Sequence, residues 1–143
     1  MSSAIPETHL GLLLLPAEGV LTTLMPDGQP QMSIVWADFD GQHVLINTTL
    51  HRQKGKNMQA NPKVNVLVID PKNGARFVEV RGEVVEITQK GAIAHADKQT
   101  QAYSSYLKQR FYGDIYPVEQ QDKETRVIVK ISPKRITTDA IFS

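Results

Sequence analysis

The sequence predicts an α+β domain that is mostly β, its strands closing or nearly closing into a barrel, with two or three helices beside them. Three observations carry this. Runs of period-two apolar alternation recur through most of the 143 residues. Turn signals with a mechanism (Pro26-Asp27-Gly28-Gln29, Asp40-Gly41 and Asp70-Pro71-Lys72-Asn73-Gly74) separate them at hairpin spacing. Only a few short stretches break the alternation, so strands outnumber helices and must cover one another's apolar faces.

Taken in order, residues 6–15 suit a short helix, opened by Pro6 and stopped by Pro16. Strands follow at 20–24 and 30–39. In the second, Met32, Ile34 and Trp36 share one face, and Gln31, Ser33 and Val35 the other. A third strand covers 44–47. The alternation then fails over 50–61, which reads as a helix with Thr48 or Thr49 as its N-cap and Asn61-Pro62 as its stop. Strand 64–69 is apolar on both faces near its end, as an inner strand would be. Strand 77–88 carries Gly82 inside it, the mark of a bulge or bend. Residues 91–110 read as helix, with Ala92, Ala94, Ala96, Leu107 and the pair Tyr103 and Tyr106 as its apolar stripe. A loop holds Tyr112 and Tyr116. Residues 126–131 form a β-branched strand that 136–142 extends past Pro133. The count is six or seven strands in one domain spanning 1–143.

Composition narrows the function. With 41% hydrophobic and 22% charged residues, the chain can build a core and remain in water. A net charge of +1 gives no global pull toward nucleic acid or membrane. The absence of cysteine removes disulfides, thiolate metal sites and cysteine nucleophiles. The apolar run 12–15 is far short of the ~20 residues of a spanning helix, and no basic region precedes it, so the expected location is the cytoplasm. His9, His43, His51 and His95 lack metal-ligand spacing, and no metal is expected. His95 and Asp97 read as helix-side polar residues. Gly-x-Ser-x-Gly, P-loop and dinucleotide fingerprints are absent.

The informative stretch is 41–69. It holds none of the chain's 15 acidic residues, yet it contains Arg52, Lys54, Lys56 and Lys63. Cations at a helix start oppose the helix dipole, each at a cost of a few tenths of a kcal/mol. A bound anion reverses that sign. Free N–H groups, a Thr hydroxyl and two or three cations together suit a phosphate. Trp36, the only tryptophan, offers flat apolar area for a ring, or core packing. Tyr112 and Tyr116 flank Gly113 and are candidates for a substrate mouth.

Four segments, in order, resemble the pyridoxamine-phosphate-oxidase-like flavin and deazaflavin proteins. They are Pro26-Asp27-Gly28-Gln29-Pro30-Gln31-Met32-Ser33-Ile34-Val35-Trp36; Ile46-Asn47-Thr48-Thr49 followed by Arg52-Gln53-Lys54-Gly55-Lys56-Asn57-Met58 and Asn61-Pro62; Arg81-Gly82-Glu83-Val84-Val85-Glu86-Ile87; and Arg126-Val127-Ile128-Val129-Lys130-Ile131-Ser132-Pro133. The resemblance implies a split β-barrel homodimer with cofactor sites at the subunit interface. It implies a phosphate on Arg52, Lys54 and Lys56, with Asn47, Thr48, Thr49 and Asn57 beside them. The ring system would lie along Ser33, Ile34, Val35 and Trp36. In the vitamin B6 oxidases the strand after the first hairpin gives an Arg and a Lys to FMN phosphate. Aligned on Pro30, those positions fall on Ser33 and Asp38, which argues against true pyridoxamine-phosphate oxidation. The pattern Ser33-Ile34-Val35-Trp36 resembles the branch that uses the deazaflavin coenzyme F-420; FMN is the other cofactor that fits. The implied activity is hydride transfer to a small conjugated acceptor, with no catalytic acid or base on the chain. The alternatives are a carrier or sensor without turnover and a haem-binding relative on the same barrel.

Overall fold

The computed structural model describes residues 4–14, 16–105 and 107–139. Six strands form its frame: β1 (Glu18–Leu24), β2 (Pro30–Phe39), β3 (Val44–Thr49), β4 (Lys63–Asp70), β5 (Asn73–Thr88) and β6 (Arg126–Thr138). They close into a barrel in the order β1-β2-β3-β6-β5-β4, every pair antiparallel. Closure removes the free edges that an open sheet would leave. The inward rows, among them Leu21, Val35, Val44, Ile46, Val66, Val80, Val129 and Ile131, are buried and form one apolar core. Each such side chain contributes roughly 1.5–3 kcal/mol when fully buried.

β5 and β6 are long because each serves both ends of the barrel. Their register shifts between Arg81 and Gly82. A Cβ at Gly82 would stand 2.6 Å from Ile131 Cγ2 and 2.7 Å from the Ser132 carbonyl, so the two strands meet closely only because the side chain is missing.

Three helices complete the fold: α1 (Glu7–Leu10), α2 (Gln53–Ala60) and α3 (Ala92–Tyr103). The first is shorter than the expected 6–15, because a 3₁₀ turn, Gly11–Leu13, replaces its second half. Helix α2 starts later than expected. Thr48 and Thr49 do not cap it; they belong to β3, in register with Val127 and Arg126 of β6. Pairing six residues of β3 with β6 satisfies more backbone than one hydroxyl cap would. Arg52 is the N-cap residue, in an extended conformation and without a side-chain cap bond. Helix α3 ends at Tyr103, well before Arg110, where the Ser104 hydroxyl bonds back to the Thr100 carbonyl. Ala92 and Ala96 of the expected stripe are buried, but Ala94 is exposed, as is Leu107, which lies beyond the helix. Tyr106 and residues 140–142 of the expected last strand lie outside the described residues.

β2 and β3 pair over only three positions, Ala37, Asp38 and Phe39 with Ile46, Leu45 and Val44. Beyond Ala37 they diverge, while β2 continues along β1 and β3 continues along β6. This is the split in the barrel. α2 is wedged at one end of it: a Cβ at Gly55 would lie 2.2 Å from the Thr49 carbonyl.

Candidate functional site

The divergence opens a cleft of about 210 Å³. Ile34, Val35 and Trp36 of β2 form one wall, and Asn47 and Thr48 of β3 the other. Arg52 and Lys54 stand at the start of α2, and Arg126 at the start of β6. Ala96 and Gln99 of α3 and the segment Phe111–Ile115 with Tyr116 close the rest.

Strand parity sets what β2 offers. The Ala37 N–H bonds the Ala17 carbonyl on the β1 side. In an antiparallel ladder the groups of the next residues therefore face the opposite way. Trp36 and Ile34 thus turn their backbone N–H and C=O toward the cleft, where β3 no longer meets them. Gln99 confirms the direction: its Nε2 donates to the Trp36 carbonyl at 3.1 Å. The Trp36 ring stacks on Tyr103, centroids 4.4 Å apart.

The electrostatics are one-sided. Arg126 is buried; its guanidinium donates to Tyr112 Oη (2.9 Å), Asn47 Oδ1 (2.9 Å) and Glu124 Oε2 (3.3 Å) and lies 4.3 Å from the Phe111 ring centroid. Glu124 is held below the usual carboxylate range: burial pushes it up, but bonds from Tyr112, Gln120 and Arg126 outweigh that. Arg52 donates to Tyr116 Oη at 2.9 Å. Lys54 has no hydrogen-bond or ion-pair partner among the described residues. Burial depresses its pKa, and Arg52 and Arg126 depress it further. The Thr48 hydroxyl is buried in this cleft without a partner among the described residues. A half-buried free cation and an orphaned hydroxyl are both costly unless something charged and polar joins them.

The expected residues divide. Ile34, Val35, Trp36, Asn47, Thr48, Arg52, Lys54 and Tyr116 converge on the cleft. Ser33, Thr49, Lys56 and Asn57 do not line it. Ser33 bonds with Gln31, Lys56 is exposed, and Asn57 is turned under α2 to bond Thr23, Gln53 and Met25. Tyr112 is no mouth residue: it is 4% exposed and donates to Glu124. Arg126, Phe111, Ile115, Ala96 and Gln99 are cleft residues that sequence reading missed. Arg126 alone left a signal, a cation opening an otherwise β-branched strand.

His95 is also displaced from expectation. It is a buried side chain at the cleft's back, bonded to Asp38 and Asn47. Asp97 accepts the Phe111 N–H.

A profile of the family described as pyridoxamine 5'-phosphate oxidase matches residues 5–139. The chain belongs to that family. The chain is similar to a solved F420 reductase at 35% identity, covering 93% of this chain and 98% of that one, with a TM-score of 0.77. It also matches a conserved hypothetical protein, Rv2991, of Mycobacterium tuberculosis (24% identity, 94% and 84% covered, TM-score 0.65). A third match is a putative pyridoxamine 5'-phosphate oxidase of Listeria innocua (21% identity, 92% and 95% covered, TM-score 0.63). The last two share the fold. The pyridoxamine 5'-phosphate oxidase family is one of flavin-related oxidoreductases, and its split barrel is the fold found here. Among the described residues no helix is long and apolar enough to cross a membrane.

Proposed function

We propose that this protein is an oxidoreductase that binds the deazaflavin F-420 in the split between β2 and β3 and serves hydride transfer to a small conjugated organic acceptor. The observation that carries the reading is the cluster of Arg52, Lys54 and Arg126 at one end of a cleft whose other wall is Ile34 to Trp36. A phosphate beside Lys54 and Thr48 would supply both missing partners. The 35% identity with an F420 reductase supports the deazaflavin over FMN.

When bound, the coenzyme supplies a hydride equivalent. The chain's own contribution is to bind and orient it. Lys54 and the guanidinium of Arg52 hold the anionic tail. The cleft-facing N–H groups of Ile34 and Trp36 and the Ile34 C=O can hydrogen-bond a planar heterocycle edge-on, the Trp36 C=O already accepting from Gln99. Val35 and Trp36 exclude water on that side. No side chain here is assigned to move a proton.

The second part of the proposal is a homodimer. A cleft of about 210 Å³ is smaller than the ~300–1,000 Å³ of small-molecule pockets. Its open side borders an apolar outer face. Met32 and Ile34 are 67% and 69% exposed. Val20 pairs with Ile34 on one side and with Leu67 on the other, which extends the patch across β1 and β4. A second copy laid on this face would cover it and enclose the cofactor.

The test is titration of the purified protein with F-420 and with FMN, followed by sedimentation. Tight binding of F-420 by a dimer is expected. Failure to bind either cofactor, or a monomer at micromolar concentration, would count against the respective half. A Soret band with added haem and no binding of F-420 would move the reading to a haem protein.

A further inference from the structure

Behind the cleft runs a polar chain that the binding of a phosphate tail does not itself require. It starts at Asp38 of β2, whose Oδ2 lies 3.0 Å from His95 Nε2. His95 Nδ1 lies 3.1 Å from Asn47 Nδ2. Asn47 Oδ1 accepts from Arg126 Nη1 at 2.9 Å. The His95 and Asp38 side chains are 8% and 6% exposed.

The proton positions follow from the chemistry of the ends. Asn47 Nδ2 also donates to the Ala92 carbonyl at 2.8 Å, and a carbonyl only accepts. A guanidinium only donates, so Asn47 must turn its oxygen to Arg126. Both contacts fix the amide the same way round. Its NH₂ then faces His95 Nδ1, which must accept and so carries no proton. The proton of neutral His95 sits on Nε2 and is donated to Asp38.

A second proton on His95 would break this arrangement. With Nδ1 protonated, Asn47 would have to rotate, setting its NH₂ against Arg126 and its oxygen against the Ala92 carbonyl. Two bonds would become two like-group contacts, or the imidazole would have to leave its place. The charged groups around His95 divide. The Asp38 carboxylate favours the imidazolium. Lys98 on α3, 3.6 Å from the same Asp38 oxygen, and Arg126 beyond Asn47 oppose it. Asp97 is engaged by the Phe111 N–H.

We infer that His95, acting through Asn47, is a positioning residue for Arg126: as the neutral Nε2–H form it keeps Asn47 Oδ1 on the guanidinium, and protonation takes that bond away, leaving the guanidinium to Tyr112, Glu124 and the Phe111 ring. The inference rests on the proposed anion-binding role of the cleft. Coenzyme affinity then falls in acid for a reason that lies in the protein and not in the ligand.

The experiment has two arms. The first needs no ligand. Nitrogen-15 spectra of the cofactor-free protein should give His95 the Nε2–H tautomer, and the Arg126 side-chain signals should shift as His95 takes up its proton. An Nδ1–H tautomer, or Arg126 signals indifferent to that titration, would overturn the inference. The second arm measures F-420 and FMN affinity between about pH 8 and about pH 5, a span that covers imidazole titration. Wild type is compared with His95→Gln and Asn47→Leu. Gln offers an acceptor to Asn47 and a donor to Asp38 but cannot titrate. His95→Gln should match wild type at the alkaline end and bind more tightly than wild type at the acid end. Asn47→Leu should lose about tenfold throughout, the size of one charge-assisted hydrogen bond. Parallel pH profiles for wild type and His95→Gln would sink the positioning role while leaving the cleft as the binding site. If wild type binds neither cofactor, the proposed function fails, and the spectra still decide whether His95 controls Arg126.

Discussion

The two ends of the barrel treat charge in opposite ways. At the end away from the cleft, cations meet carboxylates. Arg76 donates to Asp70 at 3.2 Å and also to the Thr8 carbonyl, and His9 pairs with Asp139. Those contacts tie α1 to the turn after β4 and to the end of β6. At the cleft end, Arg52, Lys54 and Arg126 have one carboxylate partner among the described residues, Glu124, and it is paired with Arg126. The first arrangement is complete within the chain. The second leaves Lys54 without a counter-charge among the described residues, a cost that the anionic tail of the proposed coenzyme would remove.

Four variants test this contrast. The largest effect is expected from Arg126→Ala. It takes the guanidinium from buried Glu124, which keeps only its bonds from Tyr112 and Gln120, and from the Asn47 oxygen; breaking such a pair costs about 3–5 kcal/mol, urea denaturation should show the loss, and coenzyme binding should be lost as well. Next is Arg52→Ala with Lys54→Ala, which should weaken coenzyme affinity at least about tenfold. Unchanged affinity would place the phosphate elsewhere. Lys54→Met separates the two terms. Removing a half-buried, unpaired cation should leave stability unchanged or raise it by up to about 1 kcal/mol while affinity still falls. The lowered pKa of Lys54 adds a pH signature. The anion favours the ammonium form, so binding should be strongest below the pKa of the free protein's Lys54 and weaken as pH rises through it. In Lys54→Met that alkaline loss should vanish. The smallest effect is at the other end: Arg76→Ala should cost within about 1 kcal/mol, as partly exposed pairs do, and leave affinity untouched.

Much of the frame was legible because it rests on local signals. The turns at Asp27-Gly28 and Asp40-Gly41 and the alternation through β2 depend only on neighbours in sequence. The acid-free stretch marked Arg52 and Lys54 for the same reason: the missing counter-charges are themselves a local fact. What escaped depends on partners far along the chain. Thr48 and Thr49 look like caps until β6, some eighty residues later, pairs with them. Asn57 looks like part of a basic motif until Thr23 of β1 captures it. Arg126 reaches the cleft, and His95 the polar chain behind it, from a strand and a helix whose placement no local pattern reveals. Tyr112 reads as a loop aromatic, and only the buried Glu124–Arg126 pair turns it inward.

The stacking of Trp36 on Tyr103 has a practical outcome. The chain's single indole emitter sits in the wall of the cleft, with no second tryptophan to dilute its signal. Whatever occupies that cleft and absorbs in the near ultraviolet will drain this emission by energy transfer. The unmodified protein is therefore its own optical gauge, and each comparison above can be run by watching one band of light.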